Sequence, residues 1–305
     1  MNPADLQGLR SGDLETREAH VYQLLDRARK HGDESAIAAL QVLVRDYRDF
    51  HRSLYSRAMN QAAVFADAEL QEPLLAALGD TRYNCQAWAA MGCAAMDIQA
   101  AVPQLITLLD HSQWMVRSEA VTALGRLGDA SAVPGLRALL GDEADWLRAQ
   151  TADALAAIGG DAALEALWDE FEHRRFPRIG HIASALALFT PEVLPRLLAA
   201  ADSPDPDQRY WAAVALGSTG DDRAIATLER LMAGDRGVTV FDGEVRAAAK
   251  KALRTLRRIQ AAIAERESAA MVERESAAPV EREKAAPTER ENAAFTAGST
   301  PTSEG

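Results

Sequence analysis

The chain has 305 residues, and its 45 acidic against 33 basic side chains give a net charge of -12, which argues against general affinity for nucleic acid, a polyanion held by Lys and Arg. Hydrophobic residues make up 48% but aromatic ones only 6%, so the apolar content is mainly Ala, Leu, Val and Ile, the side chains of closely packed helices. No stretch approaches the roughly 18 consecutive apolar residues of a membrane helix, and Met1 to Arg17 is too polar for a signal peptide, so a cytoplasmic protein is expected.

The first predicted helices cover 13–31, from Leu14, Val21, Leu24 and Leu25, and 34–66, from Ile37, Leu40, Leu43 and Val44. Both lack the repeat described next, so residues 1–72 are expected to form a divergent N-terminal cap, whose outer face must tolerate water. Cys85 and Cys93 follow, eight residues apart in what reads as one helix. That separation spans about 12 Å of helix, too far for a disulfide, and two small buried side chains are expected.

From residue 73 the chain repeats. Pro103 and Pro134 are 31 residues apart, as are Arg117 and Arg148, Leu124 and Leu155, and Gly128 and Gly159; the register continues through Leu186 and Leu216. Within a unit, Leu105, Leu108 and Leu109 place one apolar face on a first helix, and Val116, Ala120, Ala123, Leu124 and Leu127 place another on a second. Pro103, Pro134 and Pro195 suit first helical turns, and Gly128-Asp129, Gly159-Gly160 and Gly220-Asp221 suit the ends of second helices. The Asp between the helices, at Asp110, Asp142 and Asp202, suits a turn or an N-cap.

This pattern of Asp, then Arg six or seven residues later, then Ala-x-x-Ala-Leu-Gly and Gly-Asp, resembles the short HEAT-like repeat typified by phycobilisome lyase repeat proteins. The resemblance covers about residues 73–256. It implies an all-α, right-handed α-α superhelix, an armadillo-like solenoid of about six helical hairpins over 73–264. It also implies a structural ladder between repeats, assigned to Asp110 with Arg117, Asp142 with Arg148, and Asp202 with Arg209. The unit at 164–195 has Glu172 to Ile179 in place of the Asp and Arg, where the ladder is expected to break, and the last unit carries an insertion, Gly234 to Gly243.

From Glu265 four octapeptides follow, ERESAAMV, ERESAAPV, EREKAAPT and ERENAAFT. With few large apolar residues and with Pro279 and Pro287 as helix breakers, 265–305 is expected to be a disordered or only transiently helical tail.

For function, enzymes built on such repeats provide tests. The hydroxylases of this repeat class hold iron through His-Glu pairs, and none of the six His residues here is followed by Glu. A repair glycosylase needs a cationic groove, whereas the dense basic stretch, Arg246, Lys250, Lys251, Arg254, Arg257 and Arg258, lies on one terminal helix and reads as a solvated face, or else as an acidic-partner or self-association site. No nucleophile elbow, phosphate loop or zinc spacing is present. The expectation is a non-catalytic protein-binding scaffold without a cofactor, using the concave face formed by the second helices. There Ser118 and Thr122 form a small-residue strip flanked by Glu119, Gln150, His181 and Trp211, with Tyr210, Trp211, His181 and Arg178 at its energetic centre. Trp114 and Trp146 join Tyr210 and Trp211 as candidate partner-binding aromatics, or else pack at helix starts. The alternative reading is a phycobilin lyase or tetrapyrrole-handling chaperone with those aromatics lining a pigment groove.

Overall fold

A computed structural model describes residues 1–176 and 178–284, with side chains to residue 273. Four helices come first: α1 Pro3–Arg10, α2 Leu14–His31, α3 Glu34–Arg45 and α4 Arg52–Met59. Six helical hairpins follow: α5 Gln71–Leu78 with α6 Gln86–Ala95, α7 Val102–Leu108 with α8 Trp114–Leu127, α9 Val133–Leu139 with α10 Asp145–Ile158, α11 Gly160–His173 with α12 Gly180–Ala187, α13 Leu194–Ala200 with α14 Pro206–Ser218, and α15 Ile225–Gly234 with α16 Val245–Lys284. No β-strand occurs among the described residues, and one isolated bridge joins Val238 to Glu244. No described helix is long and apolar enough to cross a membrane.

The hairpin boundaries follow the repeat. Pro103, Pro134 and Pro195 occupy the first turns of α7, α9 and α13, where the missing N–H leaves no helical bond unmade. α8 stops because Gly128 turns left-handed (φ 71°) and returns its N–H to the carbonyl of Leu124, a conformation that a β-carbon would strain. The next 3₁₀ turn opens on Asp129, whose carboxylate accepts from the N–H of Ser131. Both predicted stripes are buried: Leu105, Leu108 and Leu109 on the first helix, Val116, Ala120, Ala123, Leu124 and Leu127 on the second.

Successive second helices α6, α8, α10, α12 and α14 pack more closely on one another than the first helices α9 and α11 do. Alanine and glycine at the crossing points permit it: a β-carbon on Gly125 would lie 2.9 Å from the Cα of Ala154, and one on Gly217 would lie 2.6 Å from that of Ala252. The second helices therefore form a continuous inner layer, and each hairpin's apolar stripes are covered by its neighbours.

The region expected as one helix over 34–66 is two helices, separated by a 3₁₀ turn at Tyr47–Asp49. Apolar spacing runs straight through the break, with Leu43, Tyr47, Phe50 and Leu54 all buried, and neither Pro nor Gly marks it. The chain turns where the Tyr47 hydroxyl donates to Asp80 at 2.9 Å, fastening this region to the first hairpin. Upstream, Arg27 bridges Asp5 of α1 and Asp33 before α3, each at 2.7 Å.

Residues 1–256 form one compact unit, and the described residues from Arg257 onward belong to a second. The octapeptides up to Lys284 belong to α16, which continues through Pro279. The remainder of the expected tail, 285–305, lies outside the described residues.

Candidate functional site

The repeat arginines sit early in the second helices and fold back over the preceding turn. Arg117 donates to the carbonyls of His111 (3.0 Å) and Ser112 (3.3 Å), Arg148 to those of Asp142 (2.8 Å) and Glu143 (3.1 Å), and Arg209 to those of Ser203 (2.8 Å) and Pro204 (3.0 Å). The pairs expected to form the ladder between repeats, Asp110 with Arg117, Asp142 with Arg148 and Asp202 with Arg209, are corrected by this geometry. Asp110 is exposed and unpaired, Asp142 accepts from the N–H of Ala144 and shapes its own turn, and Asp202 pairs with Arg230 at 2.6 Å.

Links between repeats run forward instead, because a guanidinium with one edge occupied by carbonyls presents its other edge to the next hairpin. Arg117 approaches Asp142 at 3.8 Å, and Arg209 holds Asp235 at 2.6 Å, which keeps the Asp235 carboxyl below its usual range. Arg148 meets no such Asp; its guanidinium lies 3.7 Å from the centre of the Phe176 ring and pairs with Asp145 at 2.8 Å. In the divergent hairpin Arg174 pairs with Asp205, so a different arginine makes the forward link where a break was expected.

Trp114 and Trp146 open α8 and α10 and are 58% and 45% exposed. Their rings meet edge to face, with centroids 5.5 Å apart at 78°. Met115 is exposed beside them, and a cleft of about 450 Å³ bordered by Arg52, Asn84, Trp88, Trp114, Met115 and Arg117 lies alongside. The equivalent turn of the last hairpin is the insertion. It carries exposed Val238, Val240 and Phe241, and is held by buried Thr239, whose hydroxyl accepts from the N–H groups of Asp242 (2.8 Å) and Gly243 (2.7 Å). Sequence reasoning expected irregularity there but did not single out these three side chains.

The small-residue strip of the inner layer is already engaged. Gln150 donates to the Ser118 carbonyl (3.1 Å) and the Thr122 hydroxyl (2.5 Å) and accepts from the Ser118 hydroxyl (2.9 Å), clamping α10 to α8. Beside it, half-buried Glu119 lines a smaller groove with Met59, Met91 and Arg126, and burial pushes its carboxyl above the usual range.

The expected energetic centre divides. Trp211 is only 8% exposed, so it is a core residue rather than a partner-facing one. A β-carbon on Gly180 would lie 3.3 Å from Trp211 Cζ3, so the glycine of α12 makes the space that the indole fills. Tyr210 is half-buried and meets Trp211 edge to face at 5.1 Å. His181 is half-buried; burial pushes its imidazole below the usual range, against the opposing pull of Asp145 and Asp153. Arg178 is 73% exposed and faces Asp242 at 3.7 Å.

Cys85 and Cys93 are buried free thiols, and burial pushes them up to about 11 and about 12. Cys85 caps α6 rather than lying within it. Among the described residues no group of three or more His, Cys, Asp or Glu is placed to hold a metal ion.

A family model for HEAT repeats matches residues 71–156, 119–187 and 178–254. No curated protein matches the chain. Among solved structures, an engineered protein is 22% identical, with 83% of this chain and 77% of that one covered, at a TM-score of 0.45. A chain from a homology model of the full-length AP-3 complex in an intermediate open conformation is 14% identical, covering 82% of this chain and 50% of that one, at a TM-score of 0.52. The complex of CpcE and CpcF of phycocyanin lyase from Nostoc sp. is 21% identical, covering 84% and 95%, at a TM-score of 0.38. At these identities the likeness is one of fold.

Proposed function

The chain belongs to the HEAT-repeat family, and on that premise we propose that it is a non-catalytic scaffold that binds another protein through the edge carrying Trp114 and Trp146. The carrying observation is the exposure of this edge-to-face pair. Two indoles that pack in no core leave a large apolar area in water, and Trp is among the residues that dominate the energy of protein interfaces. The neighbouring cleft, with Trp88 and Met115 on its walls and Arg52 and Arg117 at its rim, suits an apolar side chain presented by a partner's helix or loop. Arg178, Tyr210 and the Val238–Phe241 turn extend the candidate contact area, while Trp211 and Gln150 support it from within. Two unpaired cysteines fit a reducing compartment such as the cytoplasm.

The test is affinity capture from the native host with wild-type protein and with the double variant Trp114→Ala/Trp146→Ala, folding being checked by circular dichroism. Loss of the principal captured protein from a folded variant is expected. Capture of the same proteins at the same affinity would remove the ridge from the interface.

A further inference from the structure

Between α14 and α16 lies a cleft of about 300 Å³ with Tyr210, Trp211, Val214, Lys251, Ala252 and Thr255 on its walls. Its polar equipment is one-sided. The Nε1–H of Trp211 is buried with no hydrogen-bond partner, and among the described residues no side chain engages the exposed ammonium of Lys251 or the half-buried hydroxyl of Thr255. No carboxylate lines the cleft, although acidic residues outnumber basic ones 45 to 33 in the chain. A buried donor left without an acceptor is costly, and a charged acceptor is its strongest complement.

We propose that this cleft binds an organic carboxylate bearing one apolar arm of side-chain size. The volume lies at the small end of ligand pockets. Val214, Ala252 and the Tyr210 ring provide the apolar wall for the arm, and Lys251, Thr255 and Trp211 Nε1–H are the donors for the carboxylate. Trp211 lines the cleft, and the far edge of its six-membered ring, Cζ3 and Cη2, lies beside Gly180 of α12. The Nε1–H is closed to solvent in the unbound chain, so binding includes a side-chain shift that opens it to the cleft. The same chemistry is offered by a free small acid or by the C-terminal residue of a polypeptide. The site involves neither Trp114 nor Trp146, so it stands or falls apart from the ridge.

The experiment records the indole N–H signals of the five tryptophans by ¹H–¹⁵N NMR in the full chain, with Trp211 assigned through Trp211→Phe. The probes are 3-phenylpropionate and the peptide acetyl-Gly-Ala-Phe with a free C-terminus, each titrated beside its neutral amide. At least one acid is expected to shift the Trp211 signal saturably while its amide does not, and which acid does so identifies the source. Lys251→Gln is expected to weaken that binding about tenfold, with Lys250→Gln, an exposed neighbour, leaving it unchanged. An unmoved Trp211 signal with both acids, equal shifts from the amides, or an equal loss in Lys250→Gln would each overturn the proposal.

Discussion

Asp80 joins the N-terminal helices to the first hairpin, accepting from Tyr47 at 2.9 Å and from Arg48 at 2.8 Å. Burial opposes its charge, but the hydrogen bonds from Arg48, Tyr47 and the Arg82 backbone outweigh it and hold the carboxyl at about 2, below the ordinary 3.8. A carboxylate depressed in the folded state contributes stability that is present above the unfolded value and lost as pH falls through the folded one. The melting temperature of the wild type is therefore expected to fall more steeply than that of Asp80→Asn between about pH 4 and pH 2, measured by circular dichroism. Equal slopes would mean that this ion pair carries no folding energy. Cys85 and Cys93, buried and pushed to about 11 and 12, are expected to resist alkylation at pH 8 in the native chain and to react on unfolding. Fast labelling of either thiol without denaturant would contradict their burial. Trp114→Ala removes an exposed ring, so its stability cost is expected to stay near or below about 1 kcal/mol by urea denaturation, the size of one aromatic pair. A loss several times larger would mark Trp114 as structural rather than partner-facing.

At the scale of the element, the second helices carry the architecture, and their close crossings depend on the absence of side chains. A β-carbon at Gly217 would meet the Ala252 backbone, with Cα at 2.6 Å and the carbonyl oxygen at 2.8 Å, so α14 and α16 must separate to admit it. Gly217→Ala is expected to lose about 1–3 kcal/mol, the usual cost of overpacking. An unchanged urea midpoint would mean that the helices separate freely. The sequence made these elements legible because Leu105, Leu124 and Gly128 recur at one spacing and each has a single physical use. The break at Tyr47 was not legible, since apolar periodicity continues through it and the hydrogen bond made there reaches Asp80, 33 residues away. The burial of Trp211 was hidden for a similar reason. Projection around one helix identifies the side of α14 that bears the ring, but the space for it is made by Gly180 on another helix. The direction of the arginine links was equally invisible, because Asp142 and Asp235 enter through the next hairpin.

For the whole unit over residues 1–256, stability is shared between neighbours rather than held in one centre: no hairpin shelters its own stripe, and the inner layer is continuous from α6 to α14. That continuity also positions the exposed ridge, since Trp114 and Trp146 meet only while α8 and α10 hold register through Gln150. The most direct measurement is hydrogen exchange by mass spectrometry on the full chain with and without Leu124→Ala, which removes a fully buried side chain at an expected cost of about 2–5 kcal/mol. Nearest-neighbour stacking predicts that protection falls most in α7 and α8, less in α5, α6, α9 and α10, and least in α13 and α14. A uniform loss of protection across residues 1–256 would show a single cooperative core and contradict the account.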